Sequence, residues 1–378
     1  MLNIIYCNSW FIRLVSLRSN EMLSKVVLGL CLLAVVFGEQ TRYDGYQVLR
    51  VKLNSKRELN VMHEIEKELG DNVEFWQSTR VLARPVDIMV KPKHQYYVKA
   101  LLKAAGLQYE IMMDDIQKVI DDQREKMDGR MSSSDVASFD YSVYHTYEEY
   151  EFQQYTFKKK PKKTLFIIES QLKGSGMSGK PVVWFEGGIH AREWISPATV
   201  MYFTSKLLEN YASDSDEEVR LLDGLDWLIV PSLNVDGYVF TWAENGDRLW
   251  RKTRSINQGT SCKGTDPNRN WDYKWGGEGA STWACSLTYR GSGPHSEVEI
   301  KAVTDYLMKV KKTQDVRVFV DWHSYSQLWL APWSYSASAP DPENSRQLLA
   351  LGDEAVAKIK EVHGSTYISG PSAQTLCK

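Results

Sequence analysis

Pro181-Val-Val-Trp-Phe185 is an unbroken apolar run that passes through Glu186 into Gly187-Gly-Ile-His-Ala-Arg-Glu-Trp194 and then Ser196-Pro197. A short run rich in Val and aromatic residues and stopped by glycines reads as a buried strand. Ser196-Pro197 reads as an N-cap followed by Pro at the first helical position, after which Val200, Phe203, Leu207 and Tyr211 fall on one helical face. The same alternation continues down the chain. Thr146-Tyr-Glu-Glu149 reads as a capping box opening a helix, Trp227-Leu-Ile-Val230 as a buried strand, and Ser296-Glu-Val-Glu299 as a second capping box. Val316 to Trp322 reads as a strand, and residues 345–362 as a helix stopped by Gly364. From about residue 139, strand alternating with helix predicts an α/β fold: a mainly parallel mixed sheet with helices on both faces.

Upstream the pattern is different. Tyr46-Gln-Val-Leu-Arg-Val-Lys-Leu53 alternates as a half-buried strand does, and residues 56–69 read as a helix ended by Gly70. Phe75-Trp76 and Val86-Asp-Ile-Met-Val90 read as strands, Pro92 through Leu102 as a helix, and 108–113 as a last strand. The order β-α-β-β-α-β is that of a ferredoxin-like α+β unit. A polar stretch, roughly 114–138, carries Arg124, Lys126, Arg130 and Ser132-Ser-Ser-Asp135. It is expected to be an exposed connector, cut by a protease that cleaves after basic residues.

The 378 residues contain 43% apolar and 25% charged residues, with a net charge of -2. These proportions are those of a globular chain of two or three domains, and they exclude a disordered, collagen-like or disulfide-dense protein. The charge balance provides no general attraction to nucleic acid or to acidic membranes. Residues 26–38, Val-Val-Leu-Gly-Leu-Cys-Leu-Leu-Ala-Val-Val-Phe-Gly, are too few to span a bilayer and suit a signal-peptide core behind Lys25. Cleavage is expected near Gly38, with Met22 as the natural start and residues 1–21 as an upstream extension; a buried helix is the alternative. Of the five cysteines, Cys7 and Cys31 fall in the removed part. One pair is expected among Cys262, Cys285 and Cys377 in an oxidising compartment, and Cys262 with Cys285, bracketing a loop-like segment, is the choice. The run Lys158-Lys-Lys-Pro-Lys-Lys163 could mark a nuclear signal or a nucleic-acid patch, but a solvated loop is the better reading.

The chemistry lies in the strand-to-helix turn. His190 and Glu193 are three apart and can be aimed at one point, and imidazole and carboxylate are zinc ligands. A catalytic zinc takes three protein ligands, so a third should come from another strand end. Among the seven histidines, His323 is placed best, because it directly follows the strand Val316–Trp322, and open α/β sheets bind ligands at the carboxyl ends of their strands. On spacing alone, His-x-x-Glu is as compatible with a chance pair as with a metal site. Arg248-Leu-Trp-Arg-Lys-Thr-Arg254 and Asn268-Arg-Asn-Trp271 add guanidinium and amide groups, which pair with carboxylates. Zinc beside carboxylate receptors fits a substrate with a free carboxylate next to a scissile carbonyl, as at a peptide C-terminus.

Five stretches carry a family likeness: Gly188-Ile-His-Ala-Arg-Glu-Trp-Ile-Ser196, Pro231-Ser-Leu-Asn-Val-Asp-Gly-Tyr238, Arg248–Ser255, Asp266-Pro-Asn-Arg-Asn-Trp271 and His323-Ser-Tyr-Ser-Gln327. With them the chain closely resembles the zinc metallocarboxypeptidases of the carboxypeptidase A/B family, in the secreted digestive-type subgroup made as zymogens. The resemblance covers about 43–376. It implies one Zn2+ ion held by His190, Glu193 and His323. It implies Arg251 as the group that polarises the carbonyl, and Arg192, Asn268 and Arg269 as receptors for the substrate's terminal carboxylate and backbone. Ser324 and Tyr325 would line the subsites, and Cys262 and Cys285 would form the family's disulfide. The implied organisation is a signal peptide at 1–38, an activation prodomain at 39–130 and the catalytic domain at 131–378. The expected product is a secreted monomer that acts on peptide or protein C-termini after cleavage by a trypsin-like protease, with no nucleic-acid or membrane partner.

Two departures from the family pattern stand out. The family's general-base Glu and mobile Tyr are expected near the end of the domain. Here the residues run Gly370-Pro-Ser-Ala-Gln-Thr-Leu-Cys-Lys378, so these 378 residues are expected to be C-terminally incomplete and weakly active or inactive. At 153–178 a Gly-rich hairpin is expected, and Phe157-Lys-Lys-Lys-Pro-Lys-Lys-Thr164 stands instead, read as an altered exon or frame error with no assigned function. The alternative to an enzyme precursor is a non-catalytic secreted protein that keeps the zinc and carboxylate sites and binds peptides.

Overall fold

The computed structural model of the chain describes residues 40–76, 85–131, 139–158, 165–167, 179–212 and 223–376. The expected leader with its start and cleavage points, the lysines after 158, most of the altered 153–178 segment and Cys377 lie outside these residues.

The N-terminal unit has the expected order. Strands β1 (Gln47–Val51), β2 (Val73–Phe75), β3 (Val86–Val90) and β4 (Tyr109–Met113) form one antiparallel sheet in the order β2-β3-β1-β4. Helices α1 (Lys56–Leu69) and α2 (Gln95–Ala104) cover one face. Ser55 caps α1 by accepting from the Glu58 amide, and Gly70, at φ 46°, ends it. Alternation divides each strand between two environments. Leu49, Val51, Val73, Phe75, Val86, Ile88 and Val90 join Met62, Ile65, Val98 and Leu102 in the core under the helices. The intervening Arg50, Glu74 and Asp87 therefore turn to the opposite face.

The expected exposed connector is instead largely a helix, α3 (Ile116–Met131). Ile116, Ile120 and Met127 are buried, at a spacing of four and seven that suits one helical face. The abundant charges occupy the remainder, which made the segment read as a linker.

In the larger unit, β5 (Leu165–Ile167), β6 (Val182–Gly187), β7 (Asp226–Val230) and β8 (Val316–Trp322) form a sheet in the order β5-β7-β6-β8, and all its pairings are parallel. Both faces are covered. Val182, Trp184, Leu228 and Val230 pack under Ile300, Val303 and Val310 of helix α7 (Val298–Val310). Val183, Trp227 and Ile229 pack against Val200 and Leu207 of helix α5 (Ile195–Ala212) on the other side. Burial on both faces is why these strands read as continuous apolar runs rather than alternating ones. Helix α4 (Tyr147–Lys158) opens with the expected capping box: Thr146 N donates to Glu149 Oε2 at 2.7 Å, and Glu149 N to Thr146 Oγ1 at 3.4 Å. Helix α6 (Val235–Trp242) is capped by Asn234.

Two expected caps do not form. Helix α5 begins at Ile195, and Ser196 Oγ instead accepts from Gly188 N at 2.8 Å and donates to Trp322 O. The hydroxyl ties two strand ends together rather than capping its own helix. At α7 the N-cap is Glu297 with no side-chain capping bond, because Ser296 Oγ is taken by Asn270 Nδ2 at 2.9 Å and Glu297 Oε1 at 3.0 Å. The helix of residues 345–362 is α8 (Ser345–His363), closed by Gly364 at φ 74° as expected. It packs against a parallel pair that the sequence pattern did not reveal, β9 (Leu328–Ala331) and β10 (Ile368–Pro371), and a short α9 (Ser372–Leu376) follows. Cys262 and Cys285 form the expected disulfide, with Cα atoms 5.1 Å apart.

Candidate active site

The site is built where β6 and β8 end side by side, with Gly187 in register with Trp322. Gly188 follows at φ 67°, and a Cβ there would stand 3.1 Å from Ser232. Only glycine lets the chain turn this sharply so close to its neighbour. The turn is then pinned: Ala191 N donates to Arg251 O at 3.1 Å, and Asn234 Nδ2 donates to Ile189 O at 3.2 Å and Lys252 O at 3.0 Å. Held this way, His190 and Glu193 face inward and are buried, and β8 delivers His323 beside them.

The three side chains converge. His190 Nδ1 lies 2.9 Å from Glu193 Oε1, His323 Nδ1 lies 3.1 Å from Glu193 Oε2, and one ligand atom from each residue lies within 4.8 Å of the others. The outer ring nitrogens have carboxylate partners: His190 Nε2 with Asp266 Oδ1 at 3.0 Å, and His323 Nε2 with Asp321 Oδ2 at 2.8 Å. Carboxylates thus face both nitrogens of each ring; a cation at the shared centre would take Nδ1 as a ligand and leave Nε2–H to donate to the outer carboxylate. Two imidazoles, one carboxylate and outer carboxylates orienting the rings form the donor set that a zinc ion takes.

Electrostatics agree with this geometry. Burial pushes the Glu193 carboxyl up, but His190 and His323 outweigh it and hold it well below the usual range. Burial likewise opposes the charge on Asp266, and Arg251 and His190 prevail. Glu186, fully buried on β6, goes the other way: burial raises it, and the neighbouring Asp321 raises it further.

Arg251 reaches this centre, with Nη2 2.8 Å from Asp266 Oδ2 and Nη1 3.8 Å from Glu193 Oε1. Its companions in the arginine-rich run do other work. Arg248 lies 3.7 Å over the Trp194 ring and Arg254 lies 3.5 Å over Phe240, both as packing cations. Asn268 Nδ2 is 3.2 Å from His323 Nε2, and Ser324 N donates to Glu193 Oε2 at 3.0 Å. Arg269 bonds within its own loop, to Gly279 O at 2.8 Å and Asn268 O at 3.0 Å.

The antiparallel unit engages two of the expected substrate receptors. Glu74 Oε1 is 2.6 Å from Arg192 Nη1. Asp87, which also pairs with Arg50 at 2.7 and 2.8 Å, accepts from Tyr325 Oη at 2.7 Å, and the Trp76 ring meets Tyr325 edge-on.

Residues 131–378 match the family model of zinc carboxypeptidases, and residues 49–123 match that of carboxypeptidase activation peptides. The chain belongs to the zinc carboxypeptidases. Carboxypeptidase A2 of Mus musculus is 36% identical over 90% of this chain and 83% of its own length, and carboxypeptidase A1 of Sus scrofa is 34% identical over 92% and 85%. Among solved structures, thrombin activatable fibrinolysis inhibitor superposes with a TM-score of 0.72 at 28% identity, covering 89% of this chain and 85% of that one. Carboxypeptidase A from Helicoverpa armigera superposes at 0.76 and 25% identity, covering 88% and 83%. Membership implies zinc, and His190, Glu193 and His323 provide a fitting place for it.

Several residues around this carboxypeptidase site went unread in the sequence. Asp266 opens a quoted motif, yet nothing marked it as the partner of His190. Asp321 stands on β8 two residues before His323, and a carboxylate at that interval from a histidine that follows a strand is the signal that could have found it. Glu74 and Asp87 could be found only by asking which strand residues face away from the helices.

Proposed function

We propose that the chain is the precursor of a secreted, monomeric zinc carboxypeptidase that removes C-terminal residues from peptides, with a leader at 1–38, an inhibitory prodomain at 39–130 and the catalytic domain from 131. The observation that supports it most is the convergence of His190, Glu193 and His323 on one point beside Arg251 and Arg192, with Glu74 set against Arg192. A zinc ion held by His190, Glu193 and His323 would supply a Lewis acid that polarises a carbonyl and activates water. Arg251, oriented by Asp266, places its donors where negative charge develops on the scissile carbonyl oxygen. Arg192, Asn268 and Arg269 receive the terminal carboxylate and the backbone before it, and Ser324 and Tyr325 line the subsites. Glu74 offers Arg192 a carboxylate before any substrate does, and Asp87 holds Tyr325, so the prodomain competes for the receptors until a trypsin-like cleavage near Arg130 frees it.

Binding of a peptide's terminal carboxylate tests the reading directly. After limited proteolysis with trypsin, the zinc-loaded protein should bind a peptide with a free C-terminal carboxylate and ignore its C-terminal amide. Arg192→Ala should abolish that preference. Equal binding of acid and amide peptides would contradict the assignment.

A further inference from the structure

The two ring-orienting carboxylates differ in their surroundings. Asp266 is fully buried, and it is held by Arg251 and by the Asn268 backbone N–H at 2.9 Å while it holds a histidine that is itself buried. His323 is a third exposed, at 34%, so packing confines it less than it confines His190, at 3%. What holds the His323 ring has to be a bond. Two groups meet its Nε2: Asp321 Oδ2 at 2.8 Å and the Asn268 amide nitrogen at 3.2 Å. They require opposite states of that nitrogen, since Asn268 Nδ2 donates and Asp321 accepts. The shorter contact to a charged acceptor is the stronger one.

Asp321 is well placed to act as a fixed arm. It lies on β8, whose register with β6 sets it opposite Glu186. Trp184 Nε1 donates to Glu186 Oε2 at 2.7 Å, and Glu186 Oε1 and Asp321 Oδ1, one on each adjacent strand, are buried oxygens with no hydrogen-bond partner among the described residues. Asp321 therefore has its backbone in the ladder, one oxygen walled in beside Glu186, and the other aimed at His323.

We propose that Asp321 is a positioning residue: by accepting from His323 Nε2–H it fixes the ring's tautomer and rotation, so that Nδ1 stays turned toward Glu193 and the metal position. The proposal rests on the zinc reading above and adds a residue to it. Outer partners of this kind change metal affinity by about 10–100-fold.

The test uses the full chain. Zinc affinity is measured by chelator competition for wild type, Asp321→Asn and Asp321→Ala, together with the melting temperature of each zinc-free protein. ¹⁵N-histidine NMR of the zinc-loaded proteins reports which nitrogen of His323 carries hydrogen. Wild type should show a hydrogen-bonded Nε2–H on His323. Asp321→Ala should bind zinc about 10–100-fold more weakly, and Asp321→Asn, which still offers an acceptor, should fall between. A merely structural role would lower melting while leaving the affinity of the folded protein and the His323 signal unchanged, and that result overturns the proposal. Hydrogen on Nδ1 of zinc-loaded wild-type His323 overturns it without any variant. Wild type that binds no zinc would sink the metal reading itself, a distinguishable failure.

Discussion

The two four-stranded sheets among the described residues place their chemistry differently. The antiparallel sheet has α1 and α2 on one face, while on the other Val48 and Met89 meet Ile116 and Ile120 of α3, Glu74 meets Arg192, and Asp87, paired with Arg50, meets Tyr325. The parallel sheet is packed on both faces by α5 and α7, so nothing polar can be presented from its middle without burial. Its functional groups come from where β6 and β8 end. An antiparallel sheet can thus acquire a binding function by changing alternate residues, while a doubly covered sheet has only its ends and the loops beyond them.

Substitutions at the two kinds of position should therefore behave differently. The largest effect is expected for Trp184→Ala, inside the parallel sheet and fully buried. It should cost about 3–5 kcal/mol in a denaturant titration, from the cavity left behind. A loss under 1 kcal/mol would show that the sheet's middle is not the constraint described. Next, replacing Cys262 and Cys285 together by Ser should cost about 2–4 kcal/mol, since it frees a loop with a sequence separation of 23 residues. This variant gauges how far the loops beyond the strand ends depend on a covalent tie.

Glu74→Gln, on the outward face of the antiparallel sheet, should leave folding nearly unchanged yet weaken prodomain inhibition by about 10–100-fold, the value of a charged hydrogen bond. Peptide-acid binding before and after proteolysis measures it. If Glu74→Gln unfolds the prodomain instead, the division of labour between faces is wrong. The smallest effect is expected at Glu186, whose folded carboxyl lies above its ordinary 4.5 because of burial and then Asp321. Between 4.5 and the raised value the folded chain keeps a proton that the unfolded chain has lost. The stability this group contributes is therefore present below about pH 4.5 and lost as pH rises through the folded value. Glu186→Gln should flatten that decline in a pH series of melting curves, and an unchanged slope would contradict it.

The legible parts of the sequence follow the same division. Buried strands appeared as apolar runs, α1 ended at Gly70 as its sequence implied, and the three converging side chains of the candidate metal site followed from two strand ends and a glycine turn. Helix α3 was hidden because only Ile116, Ile120 and Met127 mark its buried face among many charges. The caps at Ser196 and Ser296 failed because tertiary partners took those hydroxyls, which a local pattern cannot foresee. Asp266, Asp321 and Glu74 escaped for a related reason: each gains its role from a residue on another element, or from the direction a strand-end side chain takes.

Zinc content tests the central claim most directly. The purified chain, loaded and dialysed, should retain one zinc per molecule, and His190→Ala, Glu193→Ala and His323→Ala should each lose it while staying folded by circular dichroism. Full zinc retention in all three variants, or none in the parent, would contradict the account.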